Sequence, residues 1–124
     1  MLKMRGKQYL TRSADYDRVY RQKTSWASKL LVLRVAVQEN ASGAGISRYG
    51  FSINKRVGGA VVRNRIRRRL REMMRRLPLK PGWDIVFIVR QPAAGIDFGG
   101  LQDDVQKLLA RARLLGENNE IRCP

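Results

Sequence analysis

Arg63, Arg65, Arg67, Arg68, Arg71 and Arg75 recur within residues 55–76, a stretch that holds ten Lys or Arg against one acid, Glu72. A guanidinium is a rigid fork of donors that grips phosphate oxygens in pairs and can also stack on a base. On a helical wheel at about 100° per residue, Val62, Ile66, Leu70, Met73 and Leu77 form one apolar stripe. Asn64, Arg67, Arg68, Arg71 and Arg75 fall opposite, with Arg63 and Arg65 on the flanks. Arg69 and Arg76 border the stripe, where a long stem covers apolar surface while its head reaches water. The pattern specifies a helix docked on a core that turns an arginine face outward. A merely solvated face explains it poorly, because arginines at i and i+4 repel by roughly a few tenths of a kcal/mol per pair. Glu72 is the only acid in the stretch to relieve them. Phosphates would supply the missing charge, with the steep salt dependence that counterion release brings.

Two further features carry alternatives. Tyr16 and Tyr20 lie one helical turn apart and share a face with Val19. Rings so placed either stack on unpaired nucleotides or pack as core, and the residues alone leave both open. Gly58 and Gly59 either let a phosphate approach backbone amides at the positive helix end or serve only a sharp turn. The Walker spacing is absent. Catalytic chemistry finds no support. The chain has no histidine, its acids are scattered, and no serine or threonine has a plausible partner base. Cys123 is alone, which excludes an internal disulfide and a thiolate metal cluster. Neither a catalytic residue nor a metal site is expected in the chain.

These side chains need elements to hold them. Residues 13–22 read as a short helix with Ser13 as N-cap and Asp15 and Asp17 near its positive end. "KLLVLRVAVQ" (29–38) alternates as a strand, Leu31, Leu33, Val35 and Val37 against Leu30, Val32, Arg34 and Ala36. "NASGAG" is a loop of small residues, and "ISRYGFSI" (46–53) resumes a strand with Tyr49, Phe51 and Ile53 on one side. The basic helix should begin near residues 59–61 and stop before Pro78, since a residue preceding proline is pushed out of α geometry. In "GWDIVFIVRQP" (82–92), Val86 and Ile88 occupy the face that is normally polar, which predicts a central strand covered on both sides. Leu101, Val105, Leu108, Leu109, Ala112 and Leu115 mark a last amphipathic helix over 99–115. The expected fold is α+β: a compact two-layer α/β sandwich with a small mixed sheet, in α-β-β-β-α-β-α order. Two helices pack on one sheet face; the short first helix is free to sit elsewhere. Trp83 is expected in the core and Trp26 is unassigned.

The whole chain, 124 residues with a formal charge of +16, suits one domain with one core. An ordered body of about 10–115 is expected, between a loose basic segment and a loose tail. Nineteen of the 26 bases are Arg, and the excess charge sits in residues 1–35 and 55–76, which favours a polyanion read closely, most simply nucleic acid. No window approaches the roughly 18 apolar residues of a membrane span. The basic start lacks an apolar core of signal-peptide length. A cytoplasmic protein without a membrane role is expected.

The stretch "GFSINKRVGGAVVRNRIRRRLRE" (50–72) closely resembles the signature of the bacterial ribonuclease P protein component. That family works with a catalytic RNA to remove 5′ leaders from precursor tRNAs. Its Arg-Asn-Arg motif stands here as Arg63-Asn64-Arg65, followed by Arg67, Arg68 and Arg71. "SADYDRVYR" resembles its first helix and "WDIVFIVR" its last strand, so that about residues 10–115 are covered. Gly59 stands where Asn is common, Tyr16 and Tyr20 where Phe is frequent, and the tail from Gly116 matches no family motif.

The resemblance implies a left-handed crossover between parallel strands, a hand that periodicity cannot supply and that the usual rule opposes. It implies an RNA-bearing active site whose Mg²⁺ is held by the RNA, and an activity that belongs to a ribonucleoprotein endoribonuclease. Arg63, Asn64, Arg65, Arg67, Arg68, Arg71 and Arg75 would bind the catalytic RNA, Asn64 either touching RNA or bracing the helix start. Tyr16 and Tyr20, with Arg34, Arg48, Ser52, Lys55 and Arg56, would line a trough for the precursor tRNA leader. No obligate protein partner is implied. A ribosomal protein or general RNA chaperone would share the charge and size, but would not prefer precursor over mature tRNA.

Overall fold

The structure, a computed structural model, describes residues 9–10, 12–22, 24–38 and 46–116. The expectations for the basic N-terminal segment, the "NASGAG" loop and the tail fall largely outside these residues. The elements are α1 (Ser13–Arg21), β1 (Ser25–Ala27), β2 (Leu31–Val37), β3 (Arg48–Ile53), α2 (Ala60–Arg76), β4 (Trp83–Val89) and α3 (Phe98–Arg111). Short 3-10 turns at Lys55–Val57 and Gln91–Gly95 leave the ends of β3 and β4. Among the described residues no helix is long and apolar enough to cross a membrane.

One mixed sheet has the order β1-β2-β4-β3. β1 and β4 pair antiparallel with β2, while β3 lies parallel to β4, so that α2 is the crossover of a βαβ unit. The alternation of β2, β3 and β4 divides the molecule. Leu33, Val35, Tyr49, Phe51, Ile85 and Phe87 face the larger core, where they meet Ile66, Leu70 and Met73 of α2 and Leu101, Val105 and Leu108 of α3. Ala36 and Val86 face the other way and pack with Leu10 and with Val19 of α1. The apolar stripe of α2 is thus buried, and Val86, fully buried on the side of α1, explains why β4 is apolar on both sides beyond Asp84.

The short first helix sits on the opposite sheet face from the other two. β1 has no periodicity of its own to announce it; at three residues it exists by pairing with β2, and it carries Trp26 against the larger core. Trp83 also packs against that core, partly buried.

Two local expectations give way. Ser13 is the first helical residue rather than the N-cap; Arg12 takes the cap position without a side-chain bond. Val37 keeps the side of Leu33 and Val35 but is 55 % exposed at the end of β2. Leu115 is not on the last helix. Arg113 turns left-handed (φ 60°), ending α3, and Leu115 bridges antiparallel to Leu79. The helix starts as well-capped chemistry dictates, with the Asp97 side chain accepting from Gly100 N at 2.8 Å.

Candidate nucleic-acid interface

The outward side of α2 carries the arginines as the wheel requires, each in its own setting. Arg68 is exposed and makes no hydrogen bond or ion pair among the described residues. Arg63 donates Nε to the Gly58 carbonyl at 3.1 Å, which ties the helix start to the glycine turn. Arg67 donates to Asn64 Oδ1 at 2.9 Å. Asn64 therefore braces a neighbouring guanidinium rather than the backbone. Arg65 is partly buried along its stem, and its Nε lacks an acceptor among the described residues. Glu72 is spent at the C-terminal end, accepting from Arg75 at 2.5 Å and Arg76 at 2.6 Å. No acid among the described residues pairs with the first three turns of the helix.

Arg71 has a partner of another kind. Its guanidinium carbon lies 4.7 Å from the ring centroid of Tyr9, within cation–π range. Tyr9 bridges to Tyr49 at the free edge of β3 and packs its ring 6.0 Å from Tyr49 and 5.9 Å from Phe51. Tyr9 thus joins the chain's first described residues to the arginine face. Nothing in the sequence pattern singled it out.

The second surface lies across the sheet. α1 covers its face over the row Ala36–Asp84–Arg48 and part of the row Arg34–Val86–Gly50. The next row, Val32–Ile88–Ser52, stays partly exposed and forms a trough floor beside α1. Tyr16 is half-buried against the sheet, and Tyr20 is 36 % exposed; their ring centroids are 6.4 Å apart. Tyr16 lies so close over Gly50 that a Cβ at position 50 would overlap its phenol. Burial and Tyr9 hold the Tyr16 hydroxyl above the usual phenol range, Tyr20 adding to this, while the Phe51 backbone and Arg67 pull against them. It is a neutral donor, directed at the Leu10 carbonyl at 3.3 Å.

Arg34 and Arg48 reach the trough side but hold the scaffold. Arg34 donates to the carbonyls of Tyr20 (3.0 Å) and Gln22 (2.7 Å), satisfying the C-terminal end of α1. Arg48 forks onto Asp84, Nε to Oδ1 at 2.9 Å and Nη2 to Oδ2 at 2.7 Å, and leans toward Asp15 at 3.5 Å. These bonds, led by the one to Asp84 and offset in part by desolvation, raise its pKa further. Asp84, fully buried, also accepts from Arg18 of α1 and from Gln38 Nε2 at 3.1 Å. Two arginines and two aspartates balance here, so α1 is pinned to β4 without net charge. Asp84 and Arg18 were missed in the sequence, although a lone acid inside "WDIVFIV" was a visible signal. Ser52 stands on the floor, and Lys55 and Arg56 are exposed just past β3.

Among the described residues no group of three or more His, Cys, Asp or Glu converges to hold a metal ion. Among the described residues the arrangement is an arginine face on α2 and a pair of rings beside a partly exposed sheet row.

A family model described as Ribonuclease P matches residues 4–113. The ribonuclease P protein component of Roseiflexus castenholzii is 52 % identical over 101 residues, covering 79 % of this chain and 80 % of its own length. That of Dehalococcoides mccartyi is 41 % identical over 117 residues, covering 94 % of each. Among solved structures, the RNase P protein of Staphylococcus aureus superposes with a TM-score of 0.78 at 27 % identity, covering 88 % of this chain and 98 % of its own. That of Thermotoga maritima gives 0.71 at 26 % identity, covering 83 % and 96 %.

Proposed function

This chain belongs to the ribonuclease P protein family, and from that premise we propose that it is the subunit that binds the catalytic RNA and grips the 5′ leader of precursor tRNA. In this reading it promotes endonucleolytic removal of the leader, giving the mature tRNA 5′ end. The observation that carries it is the pairing of two unlike surfaces on one rigid sheet. An arginine face on α2, relieved by a single acid at its far end, suits the phosphates of a folded RNA, whose bases are largely hidden. A shallow trough walled by Tyr16 and Tyr20 suits a single strand, which stacking and phosphate contacts hold with little demand for sequence.

The chemistry belongs to the RNA partner in this proposal, together with the Mg²⁺ that the reaction needs. The chain's own work is positional. It neutralises repulsion between two RNAs and fixes the leader relative to the catalytic RNA, an advantage that grows as Mg²⁺ becomes scarce. The test is reconstitution with bacterial ribonuclease P RNA at low Mg²⁺. Protein plus RNA should remove the leader, whereas rigorously RNA-free protein should leave the precursor intact. Cleavage by the protein alone would refute the division of labour. Stimulation that ignores the leader would favour a general RNA chaperone instead.

A further inference from the structure

Arginines on the outward side of α2 are held in three ways, and one of them leaves the guanidinium whole. Arg63 and Arg67 each give an N–H to a neutral oxygen, of Gly58 and of Asn64. Arg75 is neutralised by Glu72. Arg71 rests instead on the Tyr9 ring, 4.7 Å from its centroid, and makes no hydrogen bond or ion pair among the described residues. A ring face attracts the cation without cancelling its charge, so the five donors of the fork remain for an incoming anion.

The ring is itself fixed from behind. Residues 9 and 10 run along the outer edge of β3, where Tyr9 bridges parallel to Tyr49 and the Leu10 N–H donates to the Tyr49 carbonyl at 2.8 Å. Their two side chains part to opposite faces of the sheet. Leu10, 2 % exposed, seats in the smaller core beside Val19. The Tyr9 ring meets Tyr49 and Phe51 at the border of the larger core. The Tyr16 hydroxyl closes the arrangement on the Leu10 carbonyl. Tyr9 is thus a platform tied to both cores. A long side chain ordered in advance on such a platform loses less rotamer freedom when it binds.

We propose that Tyr9 is a positioning residue for the arginine face, holding the Arg71 guanidinium ready, with charge and donors intact, for a phosphate of the catalytic RNA. The inference rests on the reading of α2 as the surface for that RNA and extends it to a residue outside the helix. The ring acts through Arg71 and takes no RNA contact of its own.

Affinity of the full chain for bacterial ribonuclease P RNA is measured across a salt titration. The proteins are wild type, Tyr9→Phe, Tyr9→Leu, Arg71→Gln and Tyr9→Leu/Arg71→Gln. Tyr9→Phe keeps the ring and should bind as wild type does. Tyr9→Leu keeps apolar cover beside Phe51 but loses the ring, and should bind about 2- to 10-fold more weakly, the worth of ordering one long side chain. Its salt slope should stay at the wild-type value, because Arg71 still reaches its phosphate. Arg71→Gln should reduce the slope by about 1, and in that background Tyr9→Leu should add no further loss. A loss from Tyr9→Leu that persists undiminished without Arg71 would make the ring a structural support or an RNA contact in its own right, and would overturn the proposal. Unchanged affinity in Tyr9→Leu would overturn it too. If Arg71→Gln itself left affinity and slope unchanged, the reading of this face would fall at Arg71, and the inference with it. A measurement on the wild-type protein is independent of how the variants fold. In the free protein the Arg71 side-chain N–H should be ring-shifted and better ordered by ¹⁵N relaxation than that of Arg68, which bonds nothing among the described residues. Equal order in the two would contradict a guanidinium held in advance.

Discussion

Gly50 and Tyr16 define the trough wall by what one lacks and the other fills. The missing side chain at Gly50 lets the Tyr16 phenol lie flat on β3, and any Cβ there would overlap it. Tyr16 is therefore at once core and wall, whereas Tyr20, 36 % exposed, is the ring more open to solvent. The sequence left core and stacking open for both because a helix wheel cannot tell a seated ring from a free one. Nor could it show that Arg34 closes the end of α1, since strand alternation gives a face but not a partner. Gly50→Ala is expected to lift Tyr16 off the sheet. The variant should bind precursor tRNA more weakly in the reconstituted complex, within the roughly 1–3 kcal/mol worth of one stacking ring, and bind mature tRNA unchanged. Equilibrium binding with matched substrates checks this, and equal weakening of both would show that the ring is structural only.

At the scale of elements, α1 depends on Asp84. The carboxylate lies buried on β4 under two arginines, and without it Arg48 would keep Asp15 at 3.5 Å and Arg18 the Val37 carbonyl at 2.9 Å as their partners among the described residues. Removing one partner of a buried ion pair typically costs about 3–5 kcal/mol. Asp84→Asn should fall near the lower figure, because the Arg48 head is one-third exposed and reaches water. The checks are the urea midpoint and amide hydrogen exchange, in which α1 should lose protection before β4. A midpoint within error of wild type would mean that the buried ion pairs of Asp84 add nothing. The boundaries of α2 were legible, since Gly58-Gly59 and Pro78 punctuate a strong apolar stripe. α3 was read too long because Ala112 and Leu115 continue its period, while the left-handed turn at Arg113 has no glycine to signal it. The α-β-β-β-α-β-α order holds, but no residues marked where β1 lies: three residues carry no pattern, and pairing with β2 makes the strand.

Across the whole molecule, one sheet keeps two unlike surfaces apart. α2 and α3 bury the larger core on one face, and α1 seats a smaller one on the other. The arginine face therefore lies beside the β3 edge, while the trough runs along the far side. Charge distribution and periodicity foretold the first surface. The second needed the register of β2, β4 and β3, which brings together rows of residues far apart in the chain. The central claim is this separation, and a crossed binding experiment tests it most directly. Arg65→Ala/Arg68→Ala and Tyr20→Ala are each measured for affinity toward the catalytic RNA and, once assembled at saturating protein, toward precursor and mature tRNA. The arginine variant should bind the catalytic RNA more weakly, with its salt slope reduced by up to about 2, and keep the preference for precursor after assembly. Tyr20→Ala should bind the catalytic RNA as wild type does and lose about 1–3 kcal/mol toward precursor alone. If both variants weakened both interactions alike, the two surfaces would be one, and the account would be contradicted.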